Sequence, residues 1–256
     1  MLFSMRSFKG YTVTASDGVV GKVQDGLFDD QAWVIRYVVV DAGSWLSSRQ
    51  VLVSPYAMDT PDTEEENLLV HISKEQVKNS PGIDTHPSVS RQHEMEFSRY
   101  YGYPFYWGGE GLWGDSVYLS SVSDRTAQAS SSYARDNAAP EAAASDPHLR
   151  SSTEVLGYHI HALDGELGHV SDVLVEADSW AIRYLVVSTS NWWLGHEVLI
   201  PPQWIVGVSW EDRVVDLNVS REKIQGAPRF ESTMELNRQQ ELAFFRHHER
   251  PAYWSK

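Results

Sequence analysis

The chain has 256 residues, with 21 Lys and Arg against 35 Asp and Glu, a formal net charge of −14 and no cysteine. That balance excludes disulfides, thiolate metal sites and a cysteine nucleophile, and it argues against a nucleic-acid partner, which would need a basic stripe to neutralise phosphates. With 42% apolar and 22% charged residues, and no apolar run near the roughly 18 residues of a membrane-spanning helix, a globular chain without a membrane-spanning segment is expected.

The opening stretch, "MLFSMRSFKGYTV", lacks a continuous apolar core followed by a small-residue cleavage site, so it does not read as a signal peptide and cytoplasm is the expected compartment. A first strand, "YTVTA" from Tyr11, leads into a turn at Ser16-Asp17-Gly18, where glycine takes the dihedrals a tight hairpin demands and the aspartate bonds local backbone. A second strand, "GKVQDGLF", follows. In the third, Trp33, Ile35, Tyr37 and Val39 share one face and Val34, Arg36, Val38 and Val40 the other; apart from Arg36 both faces read as covered, which places the strand inside a packed or closed sheet. A fourth strand, "QVLVS", exits at Pro55, which cannot donate to a ladder. The acidic run from Asp59 to Asn67 reads as a solvated loop, and a fifth strand runs from Leu68 into Ser73. There "SKEQ" has the form of a capping box, Ser73 and Gln76 serving each other's backbone N–H. Pro81 stops the short helix, and a further helix is predicted around Arg91 to Tyr101, with Phe97 and Tyr101 at helical spacing.

The chain then repeats itself. "WVIRYVVVDAGSW" from Trp33 returns as "WAIRYLVVSTSNW" from Trp180, and an offset of 147 aligns Gly10–Trp107 with Gly157–Trp254 without a gap. From Asp17 to Pro55 there are 16 identities in 39 positions. In the second copy Ser220 keeps the cap but Lys223 replaces its reciprocal partner, and the last helix is predicted around Glu231 to His248, with Leu242 and Phe245 at helical spacing. Between the copies Ala, Ser, Asp and Pro dominate from about Ser120, a composition that buries too little apolar surface to offset its ordering entropy. The expected organisation is a first repeat with its helix over 1–107, a flexible linker over 108–156, and a second repeat with its helix over 157–256.

The succession of a strand, "DGxxGxVxD", a strand "WxIRYxVV", then "VLIPPxWI" and "VSREKIxxxP" resembles the PRC-barrel family, that of the cytoplasmic domain of the photosynthetic reaction-centre H subunit and of the carboxy-terminal domain of the ribosome-maturation factor RimM. The likeness covers most of both repeats and is closest from Asp164 to Pro228. It implies a mainly β chain: two small antiparallel barrels related by duplication, each with short C-terminal helices, used for protein contacts and sharing no catalytic residue. The membrane helix of an H subunit and the amino-terminal domain of RimM have no counterpart here.

Duplicated charges are the first candidates for a site. Asp25 and Arg36, and likewise Asp172 and Arg183, lie on neighbouring strands, and each pair is expected to meet across the sheet, explaining an arginine between valines. The competing assignment, a general acid beside an anion clamp, carries less weight. His159 and His161 form H-x-H on one strand with His169 across the hairpin; the first copy has Thr12, Thr14 and Lys22 there. With no convergent carboxylate in the pattern, surface histidine is the preferred account, and no metal or other cofactor is expected. His247-His248-Glu249 stands at a predicted helix end, where imidazolium suits the dipole. No G-x-S-x-G, phosphate-binding glycine loop or H-E-x-x-H occurs, so no catalytic residue is assigned. Trp45, Trp192, Trp193 and Trp204 are candidates for an interaction surface, Trp193 and Trp204 because Leu46 and Ala57 replace them in the first copy. "YPFYW" and "RPAYW" read as a latch over the chain's own barrel or its sister.

These readings converge on a pair of barrels packed about an approximate two-fold and serving as a non-enzymatic interaction or assembly module. The partner is an unidentified protein, with a homodimer through self-complementary surfaces as one form of it. The alternatives are a ribosome-maturation factor like RimM, an accessory of photosynthetic or other membrane complexes like the H subunit and, least favoured, a metal-dependent enzyme.

Overall fold

In a computed structural model, residues 1–46, 49–81, 89–107, 109–119, 148–189, 196–226, 230 and 236–255 are described. The first half runs β1 (Leu2–Ser4), α1 (Met5–Phe8), β2 (Thr12–Ala15), β3 (Gly18–Asp29), β4 (Val34–Asp41), β5 (Gln50–Val53), β6 (Asn67–Leu69), α2 (Lys74–Asn79) and α3 (Arg91–Tyr101). The second runs β7 (Leu149–Ser151), β8 (His159–Ala162), β9 (Gly165–Glu176), β10 (Ile182–Ser188), β11 (Glu197–Ile200), β12 (Ile205–Ser209), β13 (Val214–Leu217), α4 (Arg221–Gln225) and α5 (Arg238–His247). The chain is mainly β, its strands in two sheets. Among the described residues no helix is long and apolar enough to cross a membrane.

The strands order as β5-β4-β3-β2-β6 in one sheet and β11-β10-β9-β8-β13-β12 in the other. Each pairs one strand in parallel with its neighbour, β2 with β6 and β8 with β13, and the rest of each path is antiparallel. The valine-rich β4 is buried from Val34 to Val40, as a strand covered on both faces should be. The expectation of closed barrels is not met: the end strands of each sheet do not pair with each other among the described residues. The rim strands are only three to five residues long, and prolines follow β5 and β11, removing donors that a closing ladder would need.

The compact units depart from the sequence cut. The N-terminal unit holds Ser7–Ser152 with Glu176–Ala181, and the C-terminal unit holds Met1–Arg6, Thr153–Val175 and Ile182–Lys256. Each therefore includes the leading strand of the other repeat: β7 pairs antiparallel with β3 in the first, and β1 pairs with β9 in the second. The expected linker over 108–156 is corrected at both ends. Trp113 bridges to Ser116 on one side, and Leu149–Ser151 is a strand on the other; residues 120–147 lie outside the described ones.

Two motifs explain the local geometry. Ser73 and Gln76 form the expected capping box on α2, and Ser220 caps α4 through Lys223 N alone. Asp17 and Asp164, expected to bond local backbone, also accept from the first helical N–H groups of α2 and α4, at Lys74 N (2.8 Å) and Arg221 N (2.7 Å). The second glycine of "DGxxG" permits a close strand crossing: a methyl group on Gly21 would stand 1.9 Å from Asp41 O, and on Gly168, 2.0 Å from Ser188 O.

The predicted helix at Arg91–Tyr101 matches α3, which lays Phe97 over Tyr37, Val39, Leu52, Val89 and Leu149. The last helix begins later than expected, at Arg238, behind the N-cap Asn237. It packs Phe244 and Phe245 against Tyr184, with Phe244 stacked on Trp204 at 5.4 Å.

Candidate functional site

The pairing expected between Asp25 and Arg36 does not form, and two bulges are the reason. Along β3 the register with β4 steps from Val23 to Asp25, leaving Gln24 over, and along β4 it steps from Tyr37 to Ile35, leaving Arg36 over. β9 and β10 do the same at Ser171 and Arg183. A bulged residue loses its cross-strand partner and its side chain is re-aimed. Arg36, 3% exposed, turns to Asp29 Oδ2 at 3.2 Å and to the Leu112 carbonyl, with its guanidinium 3.8 Å from the Tyr106 ring and 4.9 Å from Trp113. Arg183 lies 4.0 Å over Tyr253, and Asp172 takes other partners.

Those partners come from the leading strands. Asp25 accepts from the hydroxyls of Ser151 and Ser152 and from Gly26 N, while Ser152 N donates to Gly26 O at 2.7 Å. Asp172 accepts from the Ser4 hydroxyl, from Arg6 N at 3.1 Å and from Val173 N at 2.7 Å. Burial raises the Asp172 carboxyl above its ordinary range, opposed by the Ser4 hydrogen bond and then those of Val173 and Arg6. Ser151 follows Ser4, and Asp172 follows Asp25, by the offset of 147, so one device is built twice.

A second duplicated cluster ties each late helix to its sheet. Glu94 on α3 is fully buried; the Tyr106 hydroxyl donates to its Oε2 at 2.6 Å, and His148 Nε2 and Arg91 Nη1 stand 2.8 and 3.4 Å from its Oε1. Arg91 also donates to Tyr106 Oη at 2.9 Å. On α5, Glu241 accepts from Tyr184 at 2.9 Å and Tyr253 at 3.0 Å, and Arg238 Nη1 stands 3.2 Å away. Burial first, then the Glu94 charge, holds the Tyr37 and Tyr106 phenols well above their usual range, and burial with Glu241 does the same to Tyr184. These phenols are neutral donors at every physiological pH. The latch read in "YPFYW" and "RPAYW" thus closes on its own unit through Tyr106 and Tyr253.

The tryptophan candidates divide. Trp45 is half-buried, donates Nε1 to Val20 O at 2.6 Å and carries Lys74 Nζ 4.5 Å over its ring. Trp204 is corrected from surface to core: it is 2% exposed, packed against Phe244 and, at 4.6 Å, His248. Trp192 and Trp193 lie outside the described residues.

The histidines do not converge. His159 Nδ1 stands 2.9 Å from Glu166 and His161 Nδ1 3.6 Å from Asp216, each on its own exposed carboxylate, while His169 faces His159 across the β8–β9 ladder. Among the described residues no group of three or more His, Asp or Glu is placed to hold a metal ion. His248 is buried, with neither ring nitrogen hydrogen-bonded among the described residues; burial, then the nearby His247, Lys223 and Arg250, lowers its pKa to about 4. It is therefore a neutral ring in an aromatic stack, and the dipole role expected for that helix end does not belong to it.

The Asp25 and Asp172 locks and the Glu94 and Glu241 clusters were missed from sequence. Leu2-x-Ser4 recurs as Leu149-x-Ser151, a two-residue signal that precedes the recognisable repeat. A family model for the PRC-barrel domain matches residues 1–77. No curated protein matches the chain significantly.

Proposed function

We propose, from the match of residues 1–77 to a family model for the PRC-barrel domain, that the chain is a non-enzymatic interaction or assembly module in which the second half is another copy of the same domain. What supports the duplication is the offset itself: β3 and β9, twelve residues each, start at Gly18 and Gly165, and the bulges, the serine locks and the buried glutamates all recur 147 positions apart.

One observation carries the functional reading. The charged groups present in both halves are spent on holding the chain together: Asp25 and Asp172 grip leading strands, Glu94 and Glu241 fasten helices, and Arg36 and Arg183 sit over the latch tyrosines. A catalytic group needs access to a substrate and a poised proton; Arg36, Glu94, Asp172 and Glu241 are buried, Asp25 and Arg183 are half-buried, and each is engaged by a partner within the chain. A rigid scaffold of this kind leaves its surface for recognition.

The test is affinity capture of the full chain from its native cells, followed by reconstitution of the recovered partner from purified components. A defined stoichiometric protein complex is the expected result. Recovery of RNA that dissociates steeply with salt, or turnover of a small molecule by the purified chain, would overturn the reading.

A further inference from the structure

We propose that the outer edge of β12 takes up an extended, basic segment of a partner protein as an added strand, with a lysine or arginine of that segment lying over Gly207 toward Asp216. This rests on the assembly reading and gives it one surface and one partner chemistry.

β12 (Ile205–Ser209) ends its sheet. Its inner side pairs with β13, Gly207 to Ser209 running against Asp216 to Val214, and among the described residues no strand pairs with its outer side. Alternate residues of an antiparallel strand turn N–H and C=O away from their ladder, so the outer side is a row of donors and acceptors open to another chain. A register shift between Ile205 and Gly207 leaves Val206 out of the ladder, with its side chain 66% exposed. The visiting strand therefore has a regular stretch from Gly207 to Ser209 to pair with and an apolar contact beside it.

The duplication supplies the comparison. By the offset of 147, "IVGVS" of β12 aligns with "MDTPD" from Met58. That segment meets the β6 stretch only at single bridges, Met58 to Val70 and Asp62 to Asn67. Pro61 has no N–H to offer a further strand, and Asp59 and Asp62 add carboxylates; proline and charge are the devices that keep a sheet edge from recruiting one. In β12 valines replace Asp59 and Pro61, and a serine replaces Asp62. One chain guards this edge in its first half and leaves it open in its second.

Charge selects the occupant. From Ile205 to Leu217, Glu211, Asp212 and Asp216 stand against Arg213 alone. Asp216 pairs with Gly207 across the ladder, which puts both on one face, and its side chain is 54% exposed, 3.6 Å from His161 Nδ1. An added strand lies about 4.8 Å beyond β12 and so about 10 Å from β13. The long side chain of a lysine or arginine crosses that span only over a residue without a side chain, and a methyl group built on Gly207 meets nothing within 4 Å. A cation there ends beside the Asp216 carboxylate. A second copy of the chain would instead bring another net charge of −14 and the same carboxylates to the edge, and like charges in juxtaposition disfavour it. In strand addition the main-chain bonds give affinity and alternate side chains give specificity.

The isotopically labelled full chain is titrated, with amide resonances as the readout, with a blocked seven-residue peptide alternating valine and lysine and with its counterpart carrying glutamate for each lysine. The lysine peptide is expected to shift the amides of Gly207, Val208 and Ser209, to bind with a dissociation constant below about 1 mM, and to bind at least tenfold more tightly than the glutamate peptide. Gly207→Lys, whose side chain enters open space, is expected to melt like wild type and to lose the lysine peptide at least tenfold. Equal binding of the two peptides, undiminished binding to Gly207→Lys, or shifts confined to other strands overturns the proposal. A dimer of the wild-type chain that Gly207→Lys abolishes also overturns it, by giving the edge to a second copy. A protein captured from native cells that binds Gly207→Lys as tightly as wild type overturns this surface and leaves the assembly reading standing.

Discussion

The hydroxyl of Ser4 donates to the carboxylate of Asp172, 168 positions away, and Ser151 does the same to Asp25 across 126 positions. Each bond fastens a three-residue strand whose apolar anchor is one buried side chain, Phe3 on β1 and Leu149 on β7. A hydrogen bond to a charged acceptor contributes about 1.5–3 kcal/mol, so Asp172→Ala is expected to destabilise the C-terminal unit by that order in a denaturant titration. A Ser4→Ala/Asp172→Ala cycle should return a coupling of about 0.5–3 kcal/mol. Additive single changes would show that the two side chains do not support each other.

Gly21 and Gly168 are closed to any side chain by a carbonyl oxygen within about 2 Å of the space a methyl group would fill. Because the obstructing atoms are backbone, Gly21→Ala must displace a strand, at a cost of about 1–3 kcal/mol or more. Gly207→Ala, on β12 with nothing within 4 Å, is the control: its methyl group enters open space and reduces unfolded-chain entropy, so it is expected to be neutral or to stabilise by up to about 1 kcal/mol. Thermal melts of the two variants decide it.

The legible parts of this fold were those that physics repeats locally. A run such as Val34–Val40 is buried at every position, and the serine caps and the bounds of α3 follow from side chains a few residues apart. What escaped was nonlocal. An alternating pattern assigns faces but carries no mark for the extra residue at Gln24 or Arg36, so an arginine and an aspartate on adjacent strands looked like partners when bulges turn them apart. The leading strands escaped because Leu-x-Ser has no measurable period. Trp204 was misplaced because Ala57 stands at its repeat position, yet both residues are buried: the halves fill equivalent space with different rings, Tyr56 packing on Tyr103 and Trp113 in one and Trp204 on Phe244 in the other.

That difference makes the tryptophans testable against each other. Trp204→Ala empties a fully packed site and is expected to cost about 3–5 kcal/mol. Trp45→Ala loses one backbone hydrogen bond and the Lys74 contact, together about 1–2 kcal/mol. Chemical denaturation of both variants should give that order; a Trp204→Ala chain as stable as wild type would return the ring to the surface.

His248 makes stability depend on pH with a definite sign. The unfolded imidazole titrates near 6.5 and the folded one near about 4, because its ring is buried against Trp204 and Phe244 and faces the charges of His247, Lys223 and Arg250. Between those values the unfolded chain binds more protons, so stability falls as pH drops from about 6.5 to about 4 and the His248 contribution levels off below. Asp30 and Asp172, whose carboxyls burial raises, act in the opposite sense, taking up protons in the folded state as pH falls toward 3.8. Comparing total melting curves would mix these effects; comparing wild type with His248→Phe at each pH removes them, since both chains share the carboxylates. The gap between the two midpoints is expected to shift toward the phenylalanine variant as pH falls from 7 to 4.5. A gap constant across that window would mean that the ring accepts a proton in the folded state as readily as in water.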